Sequence, residues 1–448
     1  MSLEATEDSA GAATAPAGPS LVRAMGRWTL VAVTVNGIVG SGIFGLPSKV
    51  HALIGSWALL AYVVCAAFIA CIALCFAEVS SRFTGTGGPY LYAERAFGPT
   101  VGFLTGWVLW IARVSGIGAI ASVMASYLAL FWAPAAAGRG RGVTVAVAIV
   151  ALTIVNLVGV RSAARTLNAL TLGKLLPLLL FIGVGLFFLD PHRFAAGPVP
   201  VTGSFSKVVL ALIFAFSGFE AVVIAGGEMR EPRRDLPFAL LIAVAISTVL
   251  YVAIQTVCIG TLPDLAASQK PLADASVRFM GSAGATVIAL GALVSTVGTM
   301  AGSILLSPRL LYAMAEHGEL PRVFAATHPR FRTPHVAILF TAAAGLGLVL
   351  SGTFTYLIGL SVIARLSTYL ATVAALPMLR RQAGRFPARF TVRGGAGVVA
   401  ATLAACVWLI TQSGWRELRD FAIAVGIGLA LYGLRRFAQT RSGRPARA

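Results

Sequence analysis

Four ionisable side chains lie deep inside long apolar stretches: Arg113, Lys174, Glu220 and Arg365. A charge at such depth is expensive and is held there by an ion path, a substrate or a partner of opposite sign. Lys174 stands out by type, because the chain builds its basic surface from Arg and holds only three other lysines (Lys49, Lys207, Lys270). It sits within Thr171-Leu-Gly-Lys-Leu-Leu-Pro177, about seven residues from one end of its run and fifteen from the other. Burial favours the neutral amine, so an ammonium there is suited to exchanging a proton near neutrality. The competing reading is a lysine snorkelling to an interface.

Two glycine-rich stretches supply the complementary chemistry. One reads Asn36-Gly-Ile-Val-Gly-Ser-Gly-Ile-Phe-Gly45, and the other reads Phe214-Ala-Phe-Ser-Gly-Phe-Glu220, followed by Gly226-Gly227-Glu228. Glycine weakens a helix by up to about 1 kcal/mol per residue, so such density predicts an unwound segment. The competing reading is close helix contact of the small-xxx-small kind. An unwound helix frees backbone N–H groups at one half-helix end and carbonyls at the other, which together suit a zwitterion. The expected carboxylate site is Ser41, Gly42 and Ile43, with Ile38 beside them. The expected ammonium site is the carbonyls near Phe214, Ala215 and Ser217.

The elements that position these groups follow from composition. The chain is 58% hydrophobic and 11% charged, with a mean hydropathy of +0.86, whereas soluble domains are about a quarter charged. Soluble, disordered and disulfide-scaffold classes are excluded. The net charge of +19 sits almost wholly in gaps between apolar runs, which argues for an anionic lipid surface and against nucleic acid. Twelve apolar stretches are expected as helices, near 28–48, 54–77, 98–132, 143–160, 167–189, 205–228, 237–260, 281–306, 335–351, 354–377, 396–413 and 418–434. Each approaches the length that crosses a hydrocarbon core of about 30 Å. Residues 1–27 are expected as a disordered tail, and 435–448 as a basic one. Placing the N-terminus in the cytoplasm puts 23 Lys and Arg on the inner side against 8 on the outer, so both termini are expected to be cytoplasmic.

Other chemistries find no support. The five cysteines (Cys65, Cys71, Cys75, Cys258, Cys406) all lie in apolar runs without a C-x-x-C pair. The five histidines show no metal spacing, and no nucleophile elbow or Walker loop occurs. No catalytic residue, metal or cofactor is expected, and no enzyme. A channel is disfavoured by the absence of acidic rings or a pore-loop signature.

At this point the chain resembles the amino acid–polyamine–organocation (APC) superfamily of permeases, from about Trp28 to Arg436. The resemblance rests on Gly40-Ser-Gly-Ile-Phe-Gly45, Ala77-Glu-Val-Ser-Ser-Arg82, Gly87-Gly-Pro-Tyr90, and Phe97-Gly98 with Gly102-Phe103 and Gly106-Trp107. It rests also on Phe216-Ser-Gly-Phe-Glu220, Glu228-Met-Arg-Glu-Pro-Arg-Arg-Asp-Leu-Pro237, Tyr312-Ala-Met-Ala-Glu-His-Gly-Glu-Leu-Pro321 and Thr333-Pro334.

That resemblance implies an all-α polytopic membrane protein with twelve transmembrane helices in a LeuT-type five-plus-five inverted repeat. The repeats would span 28–189 and 205–377, with accessory helices over 396–434 and discontinuous helices one and six. It also supports the two backbone assignments and implies a helix-six gate at Phe214. Ala112, Arg113, Gly116 and Ile117 would form a helix-three wall. A coupling role falls to Lys174, in the place where relatives hold a sodium ion, with Thr296, Thr299 and Ser303 as groups that could face it. Glu220 would stabilise or couple the unwound region.

Arg113 departs from the small or polar residue usual at its position. It is expected either to pair with Glu220, the favoured reading, or to meet an acidic substrate side chain. Arg365 is expected to anchor helix packing. The function implied is secondary active amino acid transport, proton-coupled, with exchange as the alternative. Its partners would be an amino acid, protons and the bilayer of the cell membrane, in a bacterium the inner membrane. No ancillary subunit is expected.

Overall fold

The computed structural model describes residues 26–83, 88–158, 163–195, 197–224 and 229–441. The tail expected over 1–27 and the end of that expected over 435–448 fall almost entirely outside the described residues, as do Gly87 and the Gly226-Gly227-Glu228 motif. Among the described residues the regular structure is helical throughout. In chain order the helices are α1 (Arg27–Ile38), α2 (Gly42–Ile54), α3 (Ala58–Ser81), α4 (Gly88–Phe97), α5 (Pro99–Leu128), α6 (Gly138–Val158), α7 (Ala163–Gly185) and α8 (Thr202–Phe216). They continue as α9 (Glu220–Ile224), α10 (Pro232–Thr261), α11 (Pro271–Glu316), α12 (His335–Ser351), α13 (Phe354–Arg381), α14 (Gly395–Thr411) and α15 (Trp415–Arg441).

Among the described residues six helical stretches are long and apolar enough to cross a membrane: Gly42–Ser81, Pro99–Leu128, Gly138–Val158, Arg234–Thr261, Pro271–Glu316 and Phe354–Arg381. The pair α14 and α15 adds a seventh if it is one span, although it bends by 110°. Such helices satisfy every internal backbone group themselves, which the bilayer core demands.

The centre of the bundle is α5, which packs against α13 and α11, while α10 packs against α3 and α1. Gly98, at φ 91°, turns the chain immediately before α5, and Pro99 then fills the first helical position, where no N–H is needed. Nearly every residue of α5 from Gly102 to Tyr127 is buried, which an all-round apolar helix requires.

Several boundaries differ from those expected. The run expected over 281–306 is a longer element, α11, kinked at Gly281, where φ is 66°. Lys270 caps it, and Arg278 is helical rather than in a gap. The amphipathic α4 lies in a stretch expected to be a connection, and it packs against α5, α13 and α9. At the far end α15 continues to Arg441, into the segment expected as a tail.

Candidate functional site

Both glycine-rich stretches are interrupted helices. The first stops at Ile38 and resumes at Gly42, with Val39 in an extended conformation (φ −72°, ψ 91°). The second stops at Phe216 and resumes at Glu220. Gly218 lies between them at φ 114°, a backbone conformation that disfavours any side chain.

The two breaks lie against each other. A β-carbon on Gly42 would come within 2.7 Å of the Ala215 Cα, and one on Gly37 within 3.0 Å of the Gly218 carbonyl oxygen. Tyr251 of α10 ties them together, its hydroxyl lying 2.9 Å from the carbonyl oxygens of both Ile38 and Ala215. Among the described residues nothing accepts from the backbone N–H groups of Ser41, Gly42 and Ile43. Those three N–H groups open α2, where the helix dipole favours an anion. On the carbonyl side, Ser217 donates its hydroxyl to Phe214 O at 2.7 Å. Tyr251 occupies Ala215 O, and each carbonyl keeps a second lone pair.

Lys174 reaches this break from α7. It is 4% exposed, and its Nζ donates at 2.6 Å to the carbonyl oxygens of Asn36 and Val39. Those carbonyls belong to the C-terminal end of α1, which the break leaves without helical partners. An ammonium there also meets the negative end of the helix dipole. Thr296 and Thr299 turn their hydroxyls back on α11, to Ala292 O and Ser295 O. Thr299 stands beside Gly40, but among the described residues neither threonine nor Ser303 bonds Lys174.

The favoured pairing of Arg113 with Glu220 needs correction. Glu220, 1% exposed, forms its ion pair with Arg365 of α13. Its other oxygen accepts from Tyr369 Oη at 3.1 Å and from Gly218 N at 2.9 Å. Arg365 therefore does more than anchor packing: with Tyr369 it holds the carboxylate that fastens the second break. A sequence offers no signal for choosing between two arginines over such separations, and Tyr251 and Tyr369 carry no local mark either.

Arg113 remains on α5, 8% exposed. Its Nε has no hydrogen-bond partner. Its neighbour Ala112 accepts at 2.7 Å from Ser361 of α13. One turn along, a β-carbon on Gly116 would meet Ser361 Oγ at 3.6 Å, Arg365 Nη2 at 3.9 Å and the Phe214 ring at 4.0 Å. Phe214 therefore lies between the breaks and the α5–α13 wall. Ile38, Ser41, Gly42, Ile43, Phe214, Ala215 and Ser217 thus gather at the paired breaks. Ala112 and Arg113 stand on the wall, and Lys174 caps α1.

A second polar cluster lies near the ends of α3 and α13. Glu78, fully buried, accepts from Arg82 at 2.8 Å, from Arg380 Nε at 2.8 Å and from the Val392 N–H at 2.8 Å. In the turn after α11, burial pushes the Glu319 carboxyl up to about 7, with the Tyr90 hydroxyl opposing and the Glu94 carboxylate adding to the shift.

Comparison with known proteins gives the family. The amino acid permease family matches residues 25–431. The chain is 28% identical to the methylthioribose transporter of Bacillus subtilis over 436 residues, covering 93% of this chain and 94% of the relative. It is 28% identical to the branched-chain amino acid permease BcaP of the same organism, covering 93% of each. It is 30% identical to that organism's serine/threonine exchanger SteT, covering 81% of this chain and 84% of the relative. With its apolar helices and this match over most of its length, the chain is a multi-pass membrane transporter of the amino acid permease family, within the APC superfamily.

Proposed function

We propose that the protein takes up an amino acid together with a proton, by alternating access around the paired breaks. The observation that carries this reading is the Lys174 ammonium across the Asn36 and Val39 carbonyls. The backbone N–H groups of Ser41 to Ile43 bind the substrate carboxylate. Carbonyls of Phe214, Ala215 and Ser217 receive its ammonium, and Phe214 closes over it. This rests on twelve crossings in a LeuT-type arrangement, with repeats over 28–189 and 205–377, accessory helices over 396–434 and both termini cytoplasmic. The protein works without an ancillary subunit.

Charged Lys174 holds the end of α1 in the outward-facing form. Losing its proton toward the cytoplasm removes the charge–dipole attraction, frees α1 to move and releases the substrate. The proton gradient acts through the different stabilities of the two conformations in the two protonation states. Glu220 is fully engaged by Arg365, Tyr369 and Gly218, which favours a fixed role for it over a titrating one. The relation to SteT, an exchanger by name, favours a second reading, exchange without net proton flux. Proteoliposomes carrying an internal pH dye separate the two. Coupled uptake acidifies the lumen when an external amino acid is added to empty vesicles, and pure exchange leaves the lumen unchanged.

A further inference from the structure

We infer that the transported amino acid carries a second negative charge in its side chain, and that Arg113 receives it. This rests on the reading of the paired breaks as the amino acid site. Arg113 is more than nine-tenths buried, and among the described residues it makes no hydrogen bond or ion pair. A buried guanidinium without a counter-ion is strongly unfavourable, so such groups are retained where something pairs with them.

The charges around Arg113 leave that place open. Among the described residues, the ionisable groups in electrostatic reach are Glu220, Arg365 and Tyr369. Glu220 is the one acid among them, and Arg365, Tyr369 and Gly218 already occupy it. Two arginines against one carboxylate leave one positive charge over.

Its position matches the far end of a bound amino acid. The α-carboxylate site opens α2 at Gly42, and Gly42 abuts Ala215. The next residue, Phe214, puts its ring beside Gly116. Gly116 has no side chain to fill the space shared with Ser361 and Arg365, and Arg113 stands one helical turn away on α5. A side chain extending past Phe214 passes the Ser361 oxygen, whose proton goes to Ala112 O, and Arg365 Nη2, which Glu220 already engages, so the uncommitted cation of this wall is Arg113. Guanidinium and carboxylate match as a two-pronged hydrogen-bonded pair. A neutral side chain would leave Arg113 unpaired, and sites with such unmet buried groups reject the poorer ligand strongly.

Glutamate and glutamine differ in charge at nearly equal shape, so their ratio reads the inference directly. Uptake of labelled L-glutamate, L-aspartate, L-glutamine, L-asparagine and L-leucine would be measured in proteoliposomes of the full chain. Wild type should favour glutamate over glutamine, and aspartate over asparagine, by about tenfold or more. Arg113→Gln should abolish or reverse that ratio, and Arg113→Lys should keep part of it. Should Arg113→Gln fail to fold, the wild-type ratio still decides. Transport of neutral amino acids with no competition from acidic ones overturns this inference and leaves amino acid transport standing. A wild-type ratio near one, or one that Arg113→Gln leaves unchanged, also overturns it. If none of the five is taken up, both the inference and the reading beneath it fall.

Discussion

At Gly42 a missing β-carbon lets α2 begin against α8. Backbone rather than a flexible tip would face an added side chain there, since the Ala215 Cα stands 2.7 Å from the position of that carbon. Gly42→Val should therefore leave an inserted, monodisperse protein that no longer binds amino acid, because the helix end and the paired break are forced apart. Isothermal titration on the purified variant checks this, and unchanged affinity would remove α2 from the site. Tyr251 is the second residue on which the breaks depend. Tyr251→Phe removes one shared hydroxyl and should cost about 1 kcal/mol of stability, together with a higher KM, because Ile38 and Ala215 are no longer held to one point. A thermal melt and a KM both matching wild type would show that the hydroxyl is idle. At this scale the sequence was readable where chemistry is local. Four glycines in ten residues mark a break, and a lysine deep in an apolar run, in a chain with only four lysines, marks Lys174. It was unreadable where a partner lies far along the chain. Arg365 meets Glu220 across 145 positions, and no periodicity separates that arginine from Arg113.

Among the elements, interrupted helices and long apolar ones were legible because apolar runs and glycine density are properties of contiguous sequence. The short α4 was not, since its ten residues carry no apolar run and its helix is settled by packing on α5 and α13. The same packing buries Glu319 in the turn that follows α11, beside Tyr90 of α4. The Glu319 carboxyl holds its proton to about pH 7 in the folded protein, above the range of an unfolded glutamate near 4.3. Between those values the folded state binds more protons than the unfolded one, so stability falls as pH rises through that window. Glu319→Gln should therefore match wild type in melting temperature near pH 4 and exceed it increasingly toward pH 8. Parallel melting curves across that range would show that the carboxyl is not held in its neutral form. Glu78 works in the other sense. Its contacts with Arg82, Arg380 and Val392 fasten α3 to the end of α13 and to the segment before α14, a link that the Ala77-Glu-Val-Ser-Ser-Arg82 motif alone did not disclose.

Over the whole molecule, the two interrupted helices are joined by backbone contact and by Tyr251, the Glu220–Arg365–Tyr369 cluster ties the second of them to α13, and the end of α1 is held by Lys174. Of these ties, the proposed mechanism has a proton act on the lysine, since a guanidinium stays charged throughout. Removing it should uncouple transport without destroying the site. The decisive measurement is accumulation of a transported amino acid in proteoliposomes under an imposed inward proton gradient. It would be run in parallel for wild type, Lys174→Ala and Lys174→Arg. Wild type should concentrate substrate, while both variants should equilibrate it without accumulation and still exchange internal for external substrate. Lys174→Ala vesicles that concentrate substrate as wild type does would contradict the account.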